Sequence, residues 1–481
     1  MNFFSAVKLI CLLLGIVALT MLFPAIVALI YSETVAIRAF FLPIGFCLLL
    51  SSFTNIIIPK TKINLSVKSS FVIVASCWIF ASLLGAVPFY LGGYTNFINA
   101  FFESVSGFTT TGTTIFKDVE SLPRSINLWR CQTHWLGGMG IVALTVALLP
   151  LIGVGGFQLI KAETTGPEKG KITPKVTMTA KILWFIYMGM TIVQTILLMF
   201  FGKMDFIDAI SHAFSTLGTG GFSTKNASVE AYNLPVVEWI IAVFMLLAGV
   251  NFSLFYYAFF KRGKEIFENS ELKAYLGIIF LFTMGITISN INKYPFFESL
   301  RYGFFQVVSF ITTTGFSTTD YEKWLPVSQM FLFILMFIGG MSGSTAGGIK
   351  VVRWVVLGKQ VKNEVKKILH PNGVFTIQMN GRAGRKDIVF NVASFIFLYA
   401  VLVIVTAFIA ALDGVDVITA LTSSLTMVGN IGPGFSGVGP SVGNMAFYSP
   451  LVKIWFCFAM LAGRLELYTM LIFFMPSFWK K

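Results

Sequence analysis

Four segments of this chain stack without a gap: AFFESVSGFTTTG (100–112), AISHAFSTLGTGG (209–221), GFFQVVSFITTTG (303–315) and ALTSSLTMVGNIG (420–432). Each opens on a small residue and closes on glycine. The seventh position is a hydroxyl in every copy (Ser106, Ser215, Ser309, Thr426), and the position two before the glycine reads Thr110, Thr219, Thr313 and Asn430. Internal repetition of this kind constrains a fold more than any single motif. A long apolar run precedes each copy (about 70–93, 179–201, 274–291 and 388–412). Another follows it (about 129–153, 236–260, 328–356 and 449–475). Between them is room for about nine helical residues before the glycine, about 13 Å of rise, less than half of a ~30 Å hydrocarbon core. Each repeat therefore reads as a helix, a half-helix that enters and turns back, and a second helix.

Composition supports a membrane setting. Of 481 residues, 56% are hydrophobic and 12% charged, whereas a soluble domain carries about 25% charged residues. Two further apolar runs, about Leu9–Tyr31 and Ala39–Ile58, precede the first repeat, and the first is too long for a signal peptide's apolar region. Cys11, Cys47, Cys77, Cys131 and Cys457 show no CxxC spacing and read as buried thiols. His134, His212 and His370 form no ligand pattern. With no nucleophile–base or metal constellation, enzymatic activity is not expected.

The net charge of +14 does not point to nucleic acid, because of where it lies. With a cytoplasmic N-terminus and one crossing per apolar run, the inward segments are the N-terminus, 59–69, 157–181, 261–273, 350–387 and the C-terminal end. They hold 24 of the 35 lysines and arginines. That positive-inside bias sets both termini in the cytoplasm. Asp118, Glu120, Asp205, Asp208, Asp320 and Glu322 fall outside, either drawing cations to an entrance or acting as ordinary solvated acids.

The expected fold is an all-α polytopic membrane protein: four parallel helix–pore-loop–helix repeats around a central pore, after two accessory transmembrane helices. The divisions are 1–66 for the accessory helices, 67–160, 161–265 and 266–360 for repeats 1 to 3, and 361–481 for a basic cytoplasmic segment with repeat 4. Non-helical backbone at membrane depth is tolerated inside protein or along a watery cavity, and four returns meeting on one axis satisfy that together. Rings of backbone carbonyls can replace a cation's hydration shell. Glycine supplies the backbone angles that aim them, and the half-helix carboxyl ends bring negative dipole to the same place.

These repeats resemble the potassium-uptake superfamily of TrkH, KtrB and the plant HKT transporters, and the two leading spans make the TrkH branch the most similar. The resemblance implies potassium as the transported and filter-bound ion, in a bacterial cytoplasmic (inner) membrane, with no organic cofactor on this chain. It makes Gly112, Gly221, Gly315 and Gly432 the filter glycines. Carbonyls would come from Thr110 and Thr111, Thr219 and Gly220, Thr313 and Thr314, and Asn430 and Ile431. In the fourth copy Gly434 is an alternative, although equal spacing favours Gly432. Members with serine at the first filter glycine tend toward sodium; glycine in all four copies implies potassium.

Two interruptions remain. IGGMSGSTAGGIK (338–350) holds Gly339, Gly340, Gly343, Gly347 and Gly348 with three hydroxyl residues, a poor spanning helix. It is either a close-packing stretch or a loop across the ion path, and the resemblance implies an intramembrane gate. Arg464 lies eleven residues past Lys453, about 16 Å deeper, where a charge is costly. It is either a structural partner of Glu103 or a backbone carbonyl, or a positive barrier beneath the filter, as the resemblance implies. The family also implies a homodimer bound to a cytosolic nucleotide-binding ring of the TrkA type. The expected docking surface is 350–387, which alternates helical, turn and extended character, together with the other inward loops. An ion-coupled symporter driven by protons or sodium is the alternative to a channel, although the parallel repeats differ from the inverted repeats of many secondary transporters.

Overall fold

The protein is described by a computed structural model over residues 3–58, 67–140, 176–259, 263–379, 382–383, 387–440 and 443–479. The expected inward segments 59–69 and 157–181 lie largely outside the described residues, as does the apolar run after the first filter beyond residue 140. Among the described residues the architecture is helical, apart from a two-residue antiparallel pairing of Gln378–Met379 with Arg382–Ala383.

The accessory spans are Ala6–Ile30 and Thr34–Ile57, packed on each other and on the first helix of repeat 1. They turn Phe46, Leu49 and Ile56 outward. In lipid such faces carry no penalty, which is why these helices are apolar all round. The first helices of the four repeats are Val67–Leu91, Val176–Phe200, Ser270–Ser289 and Asp387–Ala411. At 20 to 25 residues they rise about 30–38 Å, enough to cross the bilayer.

The half-helices are Phe97–Phe108, Phe206–Leu217, Phe296–Ile311 and Val417–Gly429. They run 12, 12, 16 and 13 residues, longer than the nine expected, because each begins ahead of the stacked segment. Asn96 accepts from Asn99 N, Asp205 from Ile207 N and Asp208 N, and Asp416 from Thr419 N. These caps satisfy first-turn N–H groups that would otherwise lack partners. Pro295 precedes the third.

The following runs are not continuous helices. In repeat 2, Pro235–Ala248 bends by 95° into the helix beginning at Phe252, and in repeat 4, Pro450–Arg464 bends by 119° into the helix beginning at Tyr468. In repeat 3, Pro326–Leu335 gives way to irregular backbone before Val351–Leu369, and in repeat 1 the helix Arg124–Gly138 ends after 15 residues. A small–glycine pair lies at or near each of these helix ends: Gly137–Gly138, Ala248–Gly249 and Ala462–Gly463 at the ends themselves, and Gly339–Gly340 a turn past Leu335. Close packing demands these glycines. A side chain on Gly137 would strike the Phe108 carbonyl, and one on Gly463 the Val428 carbonyl. The freed backbone groups find partners inside the protein, as membrane depth requires: Met341 N donates to Gly249 O at 2.9 Å and Phe252 N to Gly343 O at 3.0 Å.

Candidate functional site

The four half-helices end in the same way. Thr111 N donates to Ser106 O, Gly220 N to Ser215 O, Thr314 N to Ser309 O and Ile431 N to Thr426 O, at 2.8–3.1 Å. Each accepting carbonyl belongs to the hydroxyl residue at the seventh stacked position. The bond closes over a left-handed residue: Thr110, Thr219, Thr313 and Asn430 have φ of 57°, 54°, 55° and 53°. Asparagine tolerates this region better than threonine does, so three β-branched residues are held there by their surroundings. Two residues on, Gly112, Gly221, Gly315 and Gly432 have φ of 80°, 81°, 83° and 101°. Gly434 is not among the positive-φ glycines; its N–H donates to Val438 O.

The glycines meet in a closed cycle. A side chain on Gly112 would run into the Gly220 carbonyl, and one on Gly221 into the Thr314 carbonyl. A Cβ on Gly315 would lie 2.5 Å from Ile431 O, and one on Gly432 3.2 Å from Thr111 O. Every contact is made to the residue just before the next repeat's glycine, and the fourth returns to the first. The ring opens on one side into a cavity of about 200 Å³ touching all four glycines.

The ring's hydroxyls are already engaged. Thr109 and Thr111 share a hydrogen bond at 2.8 Å, as do Thr312 and Thr314 at 2.7 Å. Asn430 Nδ2 donates to Thr111 Oγ1 at 2.8 Å, joining repeat 4 to repeat 1.

On the far side of the ring lies the irregular stretch of repeat 3. Gly347 N donates to Thr313 Oγ1 at 2.6 Å, and a Cβ on Gly347 would lie 2.5 Å from Gly429 O. Gly339 N bonds to Ile349 O and Val351 N to Gly340 O, closing the loop at its base. Gly343 and Gly348 have φ of 73° and 66°. Glu271 Oε1 accepts from both Ser342 N and Val352 N, at 2.7 and 3.1 Å. Arg464 completes the arrangement. Its Nη1 donates to Thr345 O at 2.8 Å and Thr110 Oγ1 at 3.0 Å, and its Nη2 to Gly137 O at 2.7 Å and Gly138 O at 3.0 Å.

The TrkH family, described as cation transport protein, matches residues 36–481. The chain belongs to the TrkH family. It is 37% identical to the Trk system potassium uptake protein TrkH of Escherichia coli strain K12 over 490 residues, covering 100% of both chains. It is 36% identical to the protein of that name from Vibrio parahaemolyticus, again over 100% of both. The crystal structure of the potassium transporter TrkH from Vibrio parahaemolyticus superposes with a TM-score of 0.88 at 33% identity, over 100% of both chains.

Within this TrkH-family chain the twelve ring residues named from sequence lie on the four strands of the cycle; of the loop glycines, Gly347 and Gly348 lie against Thr313, Gly339 packs on Gly347 and Gly348, and Gly340 and Gly343 lie against Gly249 and Asn251. Arg464 is held by backbone carbonyls and the Thr110 and Thr345 segments, while Glu103 pairs instead with Arg130 at 2.8 Å. The acids assigned outside are mostly structural ties. Asp205 pairs with Arg124 at 2.7 Å, Asp320 with Lys323 at 3.1 Å, and Glu322 accepts from Ser436 N. The Asn226 amide on Asp118 holds that carboxyl below its usual range. Sequence reasoning missed the carbonyls of Gly137 and Gly138 as Arg464's seat; the signal was the recurrent small–glycine pair. It also missed Arg130, Thr114 and Glu271, whose roles depend on contacts between segments.

Proposed function

We propose that this chain is the potassium-translocating subunit of a bacterial uptake system, resident in the cytoplasmic membrane with both termini inside. The ion path runs from the cavity through the four-glycine ring and past the loop 338–350. The observation that carries this reading is the closed glycine–carbonyl cycle, with support from the potassium-uptake names of relatives that share its full length. Carbonyls at the ring replace water around a dehydrated cation, and the four half-helix ends direct negative dipole toward it. The loop and Arg464 form the gate in its closed arrangement. Thr345, Thr110 and the Gly137–Gly138 carbonyls fasten the guanidinium there, and its charge opposes a cation leaving the ring.

The gate is worked by a cytosolic nucleotide-binding ring of the TrkA type, on a homodimer of this chain. Val351–Leu369 follows the loop directly and continues into the 378–383 pairing, so force on this helix reaches the loop through the bond between Val351 N and Gly340 O. Purified protein in liposomes with imposed gradients tests the proposal. Potassium and rubidium flux that follows the potassium gradient and exceeds sodium flux supports a channel. Strict dependence on a proton or sodium gradient supports the symport alternative. Flux without potassium preference overturns both.

A further inference from the structure

The fourth position of the stacked segments is polar in every repeat: Glu103, His212, Gln306 and Ser423. All four lie on the buried side of their half-helices, and Glu103 is 1% exposed. Two of them do the same thing. Glu103 accepts from Thr114 Oγ1 at 2.9 Å and from Ile115 N at 2.9 Å. His212 Nε2 meets Ser223 Oγ at 2.9 Å, while its Nδ1 meets Asp208 O at 2.8 Å. A carbonyl only accepts, so Nδ1 carries the proton and a neutral ring takes the Ser223 hydroxyl at Nε2. Thr114 and Ser223 each stand two residues beyond their glycine. Each hydroxyl then receives a backbone N–H two residues on, from Phe116 and Lys225.

The other copies lack this brace. The Gln306 amide has no hydrogen-bond partner among the described residues, although Ser317 stands at the matching place. In repeat 4 the matching place is Gly434, which has no hydroxyl, and Ser423 pairs with Tyr448 at 2.8 Å.

Repeat 1 carries a second layer. Arg130, 1% exposed, donates from Nε to Glu103 at 2.8 Å and from Nη1 to Ser223 O at 3.2 Å, while Nη2 reaches Thr114 Oγ1 at 3.2 Å. Its guanidinium lies 4.4 Å from the centre of the Phe222 ring. Thr114 O in turn accepts from Met445 N at 2.7 Å. Backbone just beyond two of the four glycines, Gly112 and Gly221, is thus tied to one buried ion pair.

We propose that Glu103, Arg130 and Thr114 form a positioning unit that fixes ion discrimination at the ring, with His212 and Ser223 as its weaker counterpart. This rests on the reading of the glycine ring as the filter. The unit touches no ion. It restrains the strands that follow Gly112 and Gly221, so that the carbonyls just before the glycines cannot relax onto a smaller cation.

The test is the potassium-to-sodium permeability ratio, per folded molecule, in liposomes of full-length protein. Thr114→Val removes the hydroxyl's bonds to Glu103, Phe116 N and Arg130 and should lower the ratio by at least the roughly 2- to 10-fold expected for one lost buried hydrogen bond, and Thr114→Ser should restore it. Glu103→Asp keeps a charge for Arg130 but falls one methylene short of Thr114. It should also lower the ratio, and it serves where Thr114→Val does not fold. Ser223→Ala should have a smaller effect, and Ser317→Ala a smaller one still. A wild-type ratio in folded Thr114→Val or Glu103→Asp overturns the proposal, as does an equal fall in Ser317→Ala. Gly432→Ser in the same assay separates the two readings. If it lowers the ratio while Thr114→Val does not, the brace alone fails; if neither does, the filter assignment fails as well.

Discussion

Arg464 Nη1 donates to Thr110 Oγ1 at 3.0 Å, which fastens the end of the last long helix to the left-handed residue beneath the first ring glycine. The same guanidinium holds Thr345 O of the loop and the carbonyls of Gly137 and Gly138. One side chain therefore spans repeats 1, 3 and 4. A planar fork with five donors can do this; an ammonium cannot.

Arg464→Ala should raise potassium flux per folded molecule several-fold, because the loop loses a charge-assisted anchor and the path loses a cation. Hydrogen bonds to charged groups contribute about 1.5–3 kcal/mol each, so the yield of folded protein should fall at the same time. Arg464→Lys keeps the charge without the span and should lie between the two. Flux equal to wild type in folded Arg464→Ala removes this residue from the gate.

The ring glycines should differ in tolerance. At Gly112 and Gly221 a Cβ would enter the neighbouring carbonyl, while at Gly432 it would lie 3.2 Å from Thr111 O. All three have positive φ, a strain of about 1–2 kcal/mol for an L-residue. Alanine at Gly112 or Gly221 should therefore cost folded protein. Gly432→Ser should fold and lose potassium preference. Recovery after size-exclusion chromatography, followed by permeability ratios, checks the order.

The loop is pinned from two directions, by Thr313 Oγ1 on Gly347 N and by Glu271 on Ser342 N and Val352 N. Thr313→Val and Glu271→Ala should each increase flux in the absence of any partner. Both contacts hold one loop, so the double variant should fall short of the product of the two single effects. A pair of independent, fully multiplicative effects would argue that the two contacts act on different steps.

Asp416 caps the fourth half-helix at an exposed position, and the Thr419 hydroxyl and N–H hold its carboxyl below the ordinary range. A lowered native pKa means stabilisation that is complete above the unfolded value, near 3.9, and lost as pH falls through the native one. The difference in melting temperature between wild type and Asp416→Ala should be constant near neutrality and shrink at the acid end. A difference that grows on acidification contradicts the cap.

The repeats were legible because a half-helix that returns needs the same few residues each time: a hydroxyl residue at the seventh position, a residue that bears the left-handed turn, and glycine at the ring. The half-helix starts were readable as well. Asn96, Asp205 and Asp416 stand four residues before the stacked segments, outside a window anchored on the closing glycine. The helix breaks were harder. A small–glycine pair in an apolar run reads equally as close helix packing, and only the Phe108 and Val428 carbonyls pressed against Gly137 and Gly463 distinguish the cases. Arg130 was not legible at all. Its partners lie at 103, 114 and 223, and no local pattern announces a contact between repeats.

The basic segment after the loop divides into two roles. Lys359 Nζ donates to Gln378 O at 2.6 Å, so it helps seat the 378–383 pairing on the helix. Lys362, Lys366 and Lys367 are exposed and lie within about one and a half turns of Val351–Leu369. Exposed apolar residues Val361, Val365 and Ile368 share that part of the helix, a mixed surface suited to a protein partner with an acidic rim. Neutralising Lys362, Lys366 and Lys367 together should abolish capture of a TrkA-type ring at moderate salt and leave basal flux unchanged. Lys359→Gln should weaken capture less and act through the pairing of Gln378–Met379 with Arg382–Ala383. Capture by the triple variant that matches wild type across a salt titration would place docking on another inward loop; loss of capture with unaltered salt dependence would argue that the lysines act through folding and not through charge.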